Sequence, residues 1–189
     1  ASAVTDYDGT VETMHGMQII ESGVGNVTTL NGGEQLVSGG TGTVAVLSDG
    51  VQLVSSGTGS VATMSGGIQL VSSGTGSVDV MAGGTQMVYS DCTGTITTMN
   101  GGVQQAGEVD PDGTQFAGGV VSVTTMNDGA QILSSGGTGT IDTMNSGSQD
   151  INSGAVGTVT NLMGGTKNVF EGGLAQATTL NGGLQNVTS

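Results

Sequence analysis

Two acidic segments contain the residues of this chain that could bind a metal ion. Asp6 and Asp8 alternate before a glycine, and Asp110 and Asp112 do the same. Calcium loops begin in this way, because Ca²⁺ takes six or more oxygen ligands. Neither segment continues to the distal glutamate of the full loop pattern. We interpret both as acidic turns and expect no resident metal or other cofactor; whether Asp110 and Asp112 bind an ion stays open.

Carboxylate pairs are the other candidates for chemistry, since glycoside hydrolases act with two of them. If folding places them on adjacent coils, a pair could be drawn from Asp79, Asp91, Asp110 and Asp142. The enzymes of this type that use parallel β-helices build a cleft with long loops, aromatic and basic residues. This chain has two Phe, two Tyr, no Trp and one cationic side chain. The composition therefore favours a protein that is not an enzyme.

The remaining reactive side chains are isolated from one another. His15 is the only histidine and Cys92 the only cysteine, so a Cys–His pair or an intrachain disulfide is not expected. Cys92 follows Ser90 and Asp91 in a turn-like stretch, which predicts a solvent-facing or half-buried thiol. His15 is expected in a turn at the surface.

The net charge of −14, with Lys167 as the only cation, excludes several classes of partner. Nucleic-acid binding needs Lys or Arg to neutralise phosphates, and adsorption to an anionic membrane surface needs the same. The sequence has no apolar run of about 18 residues that would predict a membrane helix. We expect neither nucleic-acid binding nor membrane insertion by this chain.

A Gly-x-Gln triplet returns every 17 or 18 residues along most of the chain, and this repeat sets the architecture. A unit so short cannot bury a face alone and must stack on its neighbours. The glutamines of the triplets are Gln18, Gln35, Gln52, Gln69, Gln86, Gln104, Gln115, Gln131, Gln149 and Gln185, with Lys167 in one slot. We predict an all-β, right-handed parallel β-helix (β-solenoid) of about eleven coils, forming a single domain over residues 1–189.

One coil illustrates the predicted strands. Residues 61–64 form a first strand, 65–67 a turn, 68–72 a second strand and 73–76 another turn, because Gly- and Ser-rich segments bound short apolar runs. The glycine two residues before each glutamine is expected to tolerate no Cβ. Between Gln104 and Gln131 the spacing breaks, and the only proline lies there. This predicts an irregular coil or loop near 105–113.

The residue two positions after each glutamine is apolar in every repeat, as at Val37, Val54 and Val71. Side chains alternate across a strand, so the glutamine shares that inward face. Stacked glutamine amides can then form hydrogen bonds from rung to rung. Lys167 breaks this ladder, and we expect its ammonium group near solvent or beside an acid.

The residue between the glutamine and that apolar residue must face outward. In the first five rungs it is apolar, which predicts an exposed stripe and a candidate surface for a partner. The residues of this stripe are Ile19, Leu36, Leu53, Leu70 and Met87.

In the first strand, Val61 and Met64 belong to two apolar columns of opposite strand parity, which predicts a bend just before the Met position. Threonine pairs such as Thr28-Thr29 and Thr97-Thr98 lie between the columns. Regular threonine arrays on flat solenoids can bind ice, but Asp79 and other residues interrupt these pairs. We therefore do not expect ice binding from them.

Units such as Thr-Thr-Leu-Asn-Gly-Gly-Glu-Gln-Leu-Val-Ser-Gly-Gly at 28–40 and Ala-Thr-Met-Ser-Gly-Gly-Ile-Gln-Leu-Val-Ser-Ser-Gly at 62–74 resemble the AIDA-type repeats of self-associating autotransporter adhesins. The resemblance covers about residues 10–189. It implies a right-handed β-helix, an extracellular place on a bacterial surface, adhesion or biofilm formation, and possible O-glycosylation of Ser and Thr. The coils here are slightly shorter than the usual family unit.

The expected function is a surface-exposed adhesin repeat domain. Its partner would be a second copy of the protein or a host or surface glycoconjugate, contacted through the extended β-helix surface. Two alternatives remain open at this point. The rod could be a passive stalk that projects another domain, or a carbohydrate-active β-helix enzyme with an acidic cleft.

Overall fold

A computed structural model of the chain describes residues 3–5, 9–109, 115–116 and 118–188. Its repeating unit is a pair of strands joined by short turns: a first strand of mostly seven residues and a second of four or five. The short strands and Gly-rich turns follow from a repeat of 17 or 18 residues. No helix occurs in the described ranges.

The strands are numbered in chain order. First strands are β2 (Gly9–Met14), β4 (Val24–Leu30), β6 (Thr41–Leu47), β8 (Thr58–Met64), β10 (Thr75–Met81), β16 (Thr138–Met144), β18 (Val156–Leu162) and β20 (Leu174–Leu180). Second strands are β3 (Met17–Ile20), β5 (Gly33–Val37), β7 (Gly50–Val54), β9 (Ile68–Val71), β11 (Thr85–Val88), β17 (Ser148–Ile151), β19 (Thr166–Val169) and β21 (Leu184–Val187). In β12 (Thr93–Ala106) and β15 (Val120–Leu133) both strands of a coil run on without a break. The remaining strands are β1 (Ala3–Thr5), β13 (Glu108–Val109) and β14 (Gln115–Phe116).

Apart from β13 and β14, each strand pairs in parallel with its equivalent in the next coil, and like positions stay in register. Gln35 lies opposite both Gln18 and Gln52, and Leu47 opposite Leu30 and Met64. The result is a parallel β-solenoid of about nine turns. The predicted all-β parallel solenoid is therefore confirmed.

Gln115 does not form a rung, although it belongs to a Gly-x-Gln triplet. Gln104 pairs directly with Gln131 across the two long strands. After Ala106 the chain leaves the ladder, β13 pairs with β14 in antiparallel fashion, and the ladder resumes at Val120. The register of neighbouring strands, not the local motif, decides which residues form a rung. This is one reason why eleven repeats in the sequence correspond to fewer turns.

The core consists of two clusters of buried apolar residues together with the buried glutamines. One contains the Val27 and Leu30 equivalents of the first strands, and the other the Val37 equivalents of the second strands. Val27 and Leu30 are both buried although their parity differs. Thr28 and Thr29 between them face outward, and the pairing skips residue 28. The bend predicted before the Met or Leu position lies here.

The first strands begin three residues earlier than expected. β8 starts at Thr58, whereas the sequence began this strand at Val61 and placed Thr75 and Gly76, the equivalents of Thr58 and Gly59, in a turn. Gly59 is buried, and a Cβ on it would lie 2.3 Å from Val54 Cγ2 and 2.9 Å from Gln52 Oε1. The glycine is therefore required by the close approach of the strand to the glutamine column, and not by a turn.

The glycine at the start of each second strand is required for a different reason. Gly50 has a φ of 101°, and a Cβ on it would lie 2.4 Å from the Gly33 carbonyl oxygen. L-residues with a side chain rarely adopt this left-handed region. The expectation that this position accepts no Cβ is confirmed at Gly50.

We expect Gly59→Ala to destabilise the protein by about 1–3 kcal/mol, because overpacking displaces Val54 and the Gln52 amide. The measurement is the urea midpoint of unfolding. Ser60→Ala is the matched control, since the Ser60 side chain faces outward and should shift the midpoint little. Equal midpoints for Gly59→Ala and the wild type would contradict the packing described here.

Candidate interaction surface

The predicted stripe is a continuous column on the outer face of the second strands. Ile19, Leu36, Leu53, Leu70 and Met87 are consecutive partners in the parallel register. Each is half-buried and lies between a buried glutamine and a buried aliphatic residue. Their outward direction follows from this alternation, and stacking on neighbours covers part of each side chain.

A second column on the same face was missed by the sequence analysis. The residue before each glutamine has the same strand parity as the stripe and also faces outward. This column reads Met17, Glu34, Val51, Ile68 and Thr85. Ile68 is 41% exposed and Met17 36%. The residues before and after each glutamine both point outward, because side chains alternate along a strand. This alternation alone predicts that the surface is two columns wide.

Farther along, the stripe column becomes polar. It continues through Gln105 and Ile132 to Asp150, Asn168 and Asn186. Asn168 Nδ2 donates to Asp150 Oδ1 at 2.7 Å, and Asn186 Nδ2 donates to Asn168 Oδ1 at 3.0 Å. The apolar surface is therefore limited to one half of the rod.

Inward-facing glutamine amides support this surface from below. Seven side-chain hydrogen bonds of 2.7–2.8 Å connect eight glutamines, Gln18 to Gln149, each Nε2 donating to the Oε1 of the preceding rung. These glutamines are buried. Because every amide points the same way, the column has an aligned dipole with its free carbonyl end at Gln149.

The prediction for Lys167 was wrong. Its side chain is fully buried, neither near solvent nor beside an acid. The Nζ atom donates to the carbonyl oxygens of Gly157, at 2.9 Å, and Gln176. The glutamines donate to the equivalent main-chain carbonyls, so Lys167 occupies a rung without continuing the amide chain. The ammonium group lies at the negative end of the column, as a cation does at a helix C-terminus.

The presence of a buried lysine in this rung has two consequences. It lowers the pKa of the ammonium group to about 8. It also leaves Gln149 Oε1 buried without a hydrogen-bond partner, because no amide follows in the next rung. The amide ladder is therefore interrupted at this rung, with one carbonyl oxygen unpaired.

The other sequence candidates do not converge on a site. Asp79 and Asp142 occupy the same column but are separated by three rungs, or about 14 Å at 4.8 Å per rung. Glycosidase carboxylates lie within about 10 Å of each other. Asp91 is exposed in a turn, with a φ of 63°. Asp110 lies outside the described residues, as do Asp6, Asp8 and Asp112.

His15 and Cys92 also lie apart from one another. The ring Nδ1 of His15, an exposed residue, contacts the Asn31 carbonyl oxygen. Cys92 was expected to be solvent-facing or half-buried, but it is 2% exposed and belongs to the second-strand core. Burial raises the pKa of the Cys92 thiol, so the protonated form dominates at neutral pH. The thiol fills core space because the turn at Ser90 and Asp91 directs it inward.

A shallow groove of about 290 Å³ runs along the outer face of the first strands, lined mainly by short side chains that include Thr10, Thr43, Ser60 and Ala62. Among the described residues, no three His, Cys, Asp or Glu side chains are grouped as metal ligands. The groove holds one carboxylate, that of Asp79. The two-column apolar surface is thus the feature best suited to contact a partner.

Comparison with protein-family models, with curated proteins and with solved structures finds no match to this chain. Within the described ranges, no helix has the length and apolar character required to cross a membrane. The function of the protein must therefore be inferred from its two outer surfaces, on the first and second strands.

We expect Lys167→Gln to stabilise the protein at pH 7 by about 1–3 kcal/mol, because the new amide can donate to Gln149 Oε1. The stability difference should shrink as pH rises from about 8 towards about 10.4, the ordinary lysine pKa. Between these pH values Lys167 is protonated in the unfolded wild-type chain but deprotonated in the folded one. The wild type therefore becomes more stable as pH rises, whereas the Lys167→Gln variant does not. Urea midpoints at pH 7 and pH 9.5 measure both effects.

Lys167→Met is the control for this experiment. It removes the buried charge but supplies no donor to Gln149 Oε1, so it should remove the pH dependence without the full gain at pH 7. A stability difference between wild type and Lys167→Gln that is the same at both pH values would contradict the buried ammonium group.

Proposed function

We propose that the chain is an adhesin repeat domain on a bacterial cell surface, and that it self-associates through the two-column apolar surface. The observation that carries the proposal is the unbroken register of Ile19, Leu36, Leu53, Leu70 and Met87 on the outside of the rod. A contiguous exposed apolar surface favours a protein partner.

The size of this surface favours weak contacts that act in parallel. Five rungs span about 20–25 Å at 4.8 Å per rung. Two columns of this length cover less area than the roughly 800 Å² per partner of a stable interface. Single contacts would therefore be transient, whereas many copies on one cell would hold by avidity. Such a pattern suits clumping of cells and biofilm formation.

Charge favours a second copy in particular. The chain carries a net charge of −14, and two rods repel one another over most of their surface. Glu34 is the only charged residue in the ten positions of the two apolar columns. Two copies can approach most closely there, and salt should assist them by screening the remaining charges.

The resemblance to AIDA-type repeats supports a winding hand, a cellular location, a modification and a second kind of partner for this protein. We assign the chain to that class of autotransporter passenger domain, with right-handed winding, the hand that parallel strand connections favour. The assignment makes the protein extracellular and makes Ser and Thr of the outer turns, such as Ser55 and Ser72, acceptors for O-glycosylation. A host or surface glycoconjugate is the other partner that this class admits.

A passive stalk is the second candidate. The observation in its favour is the polar continuation of the stripe column through Asp150, Asn168 and Asn186, whose side chains bond to one another. A stalk requires only the regular ladder and should not associate with itself.

We expect beads coated with the chain to clump, and to clump more at physiological salt than at low salt. Replacement of Leu36, Leu53 and Leu70 by Ser should reduce clumping strongly, because it removes the apolar surface while leaving the inward residues unchanged. The readout is bead aggregate size at equal coating density, with β content checked by circular dichroism.

The matched control replaces three exposed valines outside the stripe, Val24, Val80 and Val120, by Ser. This variant should clump like the wild type. Equal clumping of wild type and the leucine variant would exclude the apolar surface, and the absence of clumping at any salt concentration would favour the stalk.

A further inference from the structure

An array of hydroxyl groups lies on the outer face of the first strands between residues 41 and 158, and its polar character contrasts with the apolar surface of the second strands. It consists of two outward positions separated by one buried residue, usually glycine. The pairs are Thr41/Thr43, Thr58/Ser60, Thr75/Ser77, Thr93/Thr95, Val120/Ser122, Thr138/Thr140 and Val156/Thr158, all in parallel register. The first four of these pairs, and Thr138/Thr140, have a hydroxyl at both positions. Val120 and Val156 keep a γ-methyl where threonine is replaced.

These columns differ from the threonine pairs that the sequence analysis weighed. Those pairs lie at the bend, where Asp79 and Asp142 interrupt them. The array lies before the bend, in segments such as Thr75-Gly76-Ser77, whose first two residues were predicted to lie in a turn. From 41 to 158 neither of its columns contains a charged residue, although the whole chain carries a net charge of −14.

The array has fixed spacing in two directions. Neighbouring coils place equivalent hydroxyls about 4.8 Å apart, and the two columns are about 6.6 Å apart, because successive strand residues rise about 3.3 Å. Thr58, Thr75 and Thr93 are exposed, and the Ser60 column is half-buried. From the register and these spacings we infer a near-rectangular array of outward Thr, Ser and Val side chains.

The glutamine ladder bonds to the main chain beneath the second of these columns. Gln52 Nε2 donates to the Ser60 carbonyl oxygen at 3.4 Å, Gln69 Nε2 to that of Ser77 at 3.2 Å, and Gln104 Nε2 to that of Ser122 at 3.2 Å. The same bond recurs at Thr43, Thr95, Thr140 and Thr158. The main-chain carbonyl of each of these residues therefore accepts from a buried amide that is itself bonded to a neighbouring rung.

We propose that this face binds the surface of ice. Ice is an uncharged solid whose oxygens repeat in two dimensions at distances close to those of the array. Hydroxyls in fixed positions can bind ordered water in the same arrangement, and the threonine methyls favour it by excluding mobile water. A charged or mobile surface would not hold water in this order. These two columns contain no charged residue, and glutamine amides bond to the main chain beneath them.

The test is adsorption of the wild-type chain, labelled at its N-terminal amine, to a growing ice hemisphere in physiological salt, together with thermal hysteresis of the unlabelled chain. We expect incorporation into the ice and a gap between melting and freezing. Thr58→Tyr with Thr75→Tyr keeps a hydroxyl at each position but breaks the flat lattice. This variant should fall to the level of an inert acidic protein.

The matched control is Leu53→Tyr with Leu70→Tyr on the apolar surface of neighbouring rungs, and it should adsorb like the wild type. If the growing ice excludes the wild-type chain, the proposal is overturned whatever the variants do. Equal adsorption by wild type and a folded threonine variant, or equal loss in both variants, overturns it too. Bead clumping by the threonine variant, which retains the apolar surface, tests the proposed self-association separately.

Discussion

The fold depends on the satisfaction of one polar group inside a thin apolar rod, the glutamine side-chain amide. An unpaired buried amide costs several kcal/mol, so each rung must place its amide within reach of the next. Parallel stacking in register does this, with bonds of 2.7–2.8 Å from Gln18 to Gln149. A slip of one residue would turn the amides outward and the stripe inward. The ladder therefore specifies the register that apolar packing alone leaves loose.

The two outer faces depend on this ladder in different ways. On the second strands, register turns isolated aliphatic residues into a continuous apolar surface. On the first strands, the same amides hold the carbonyls beneath the hydroxyl columns, and the buried glycines allow the close approach. At Lys167 the amide chain ends in a buried ammonium group, which replaces the amide hydrogen bonds to the main chain but not the one to Gln149.

Much of this could be predicted from the sequence, because period and parity are local properties. The inward glutamines, the bend before Leu30 and the outward direction of Leu53 follow from the alternation of side chains. Other features depend on neighbours. The spacing motif placed Gln115 in a rung, but the register of Gln104 with Gln131 excludes it. The Lys167 ammonium group was expected near solvent or beside an acid, yet it is buried and donates to two main-chain carbonyls. Thr-Gly-Ser at 58–60 resembles a turn until the glutamine that faces Gly59 is known.

Hydrogen exchange of the glutamine side-chain amides, followed by NMR, tests the central claim most directly. The account predicts that the Nε2 protons of Gln35, Gln52, Gln69 and Gln86 exchange as slowly as backbone amides of the strands. Gln176 and Gln185 are exposed and serve as internal references that exchange fast. Rapid exchange of all glutamine side chains, at the rate of those two, would show that the buried amide ladder does not exist.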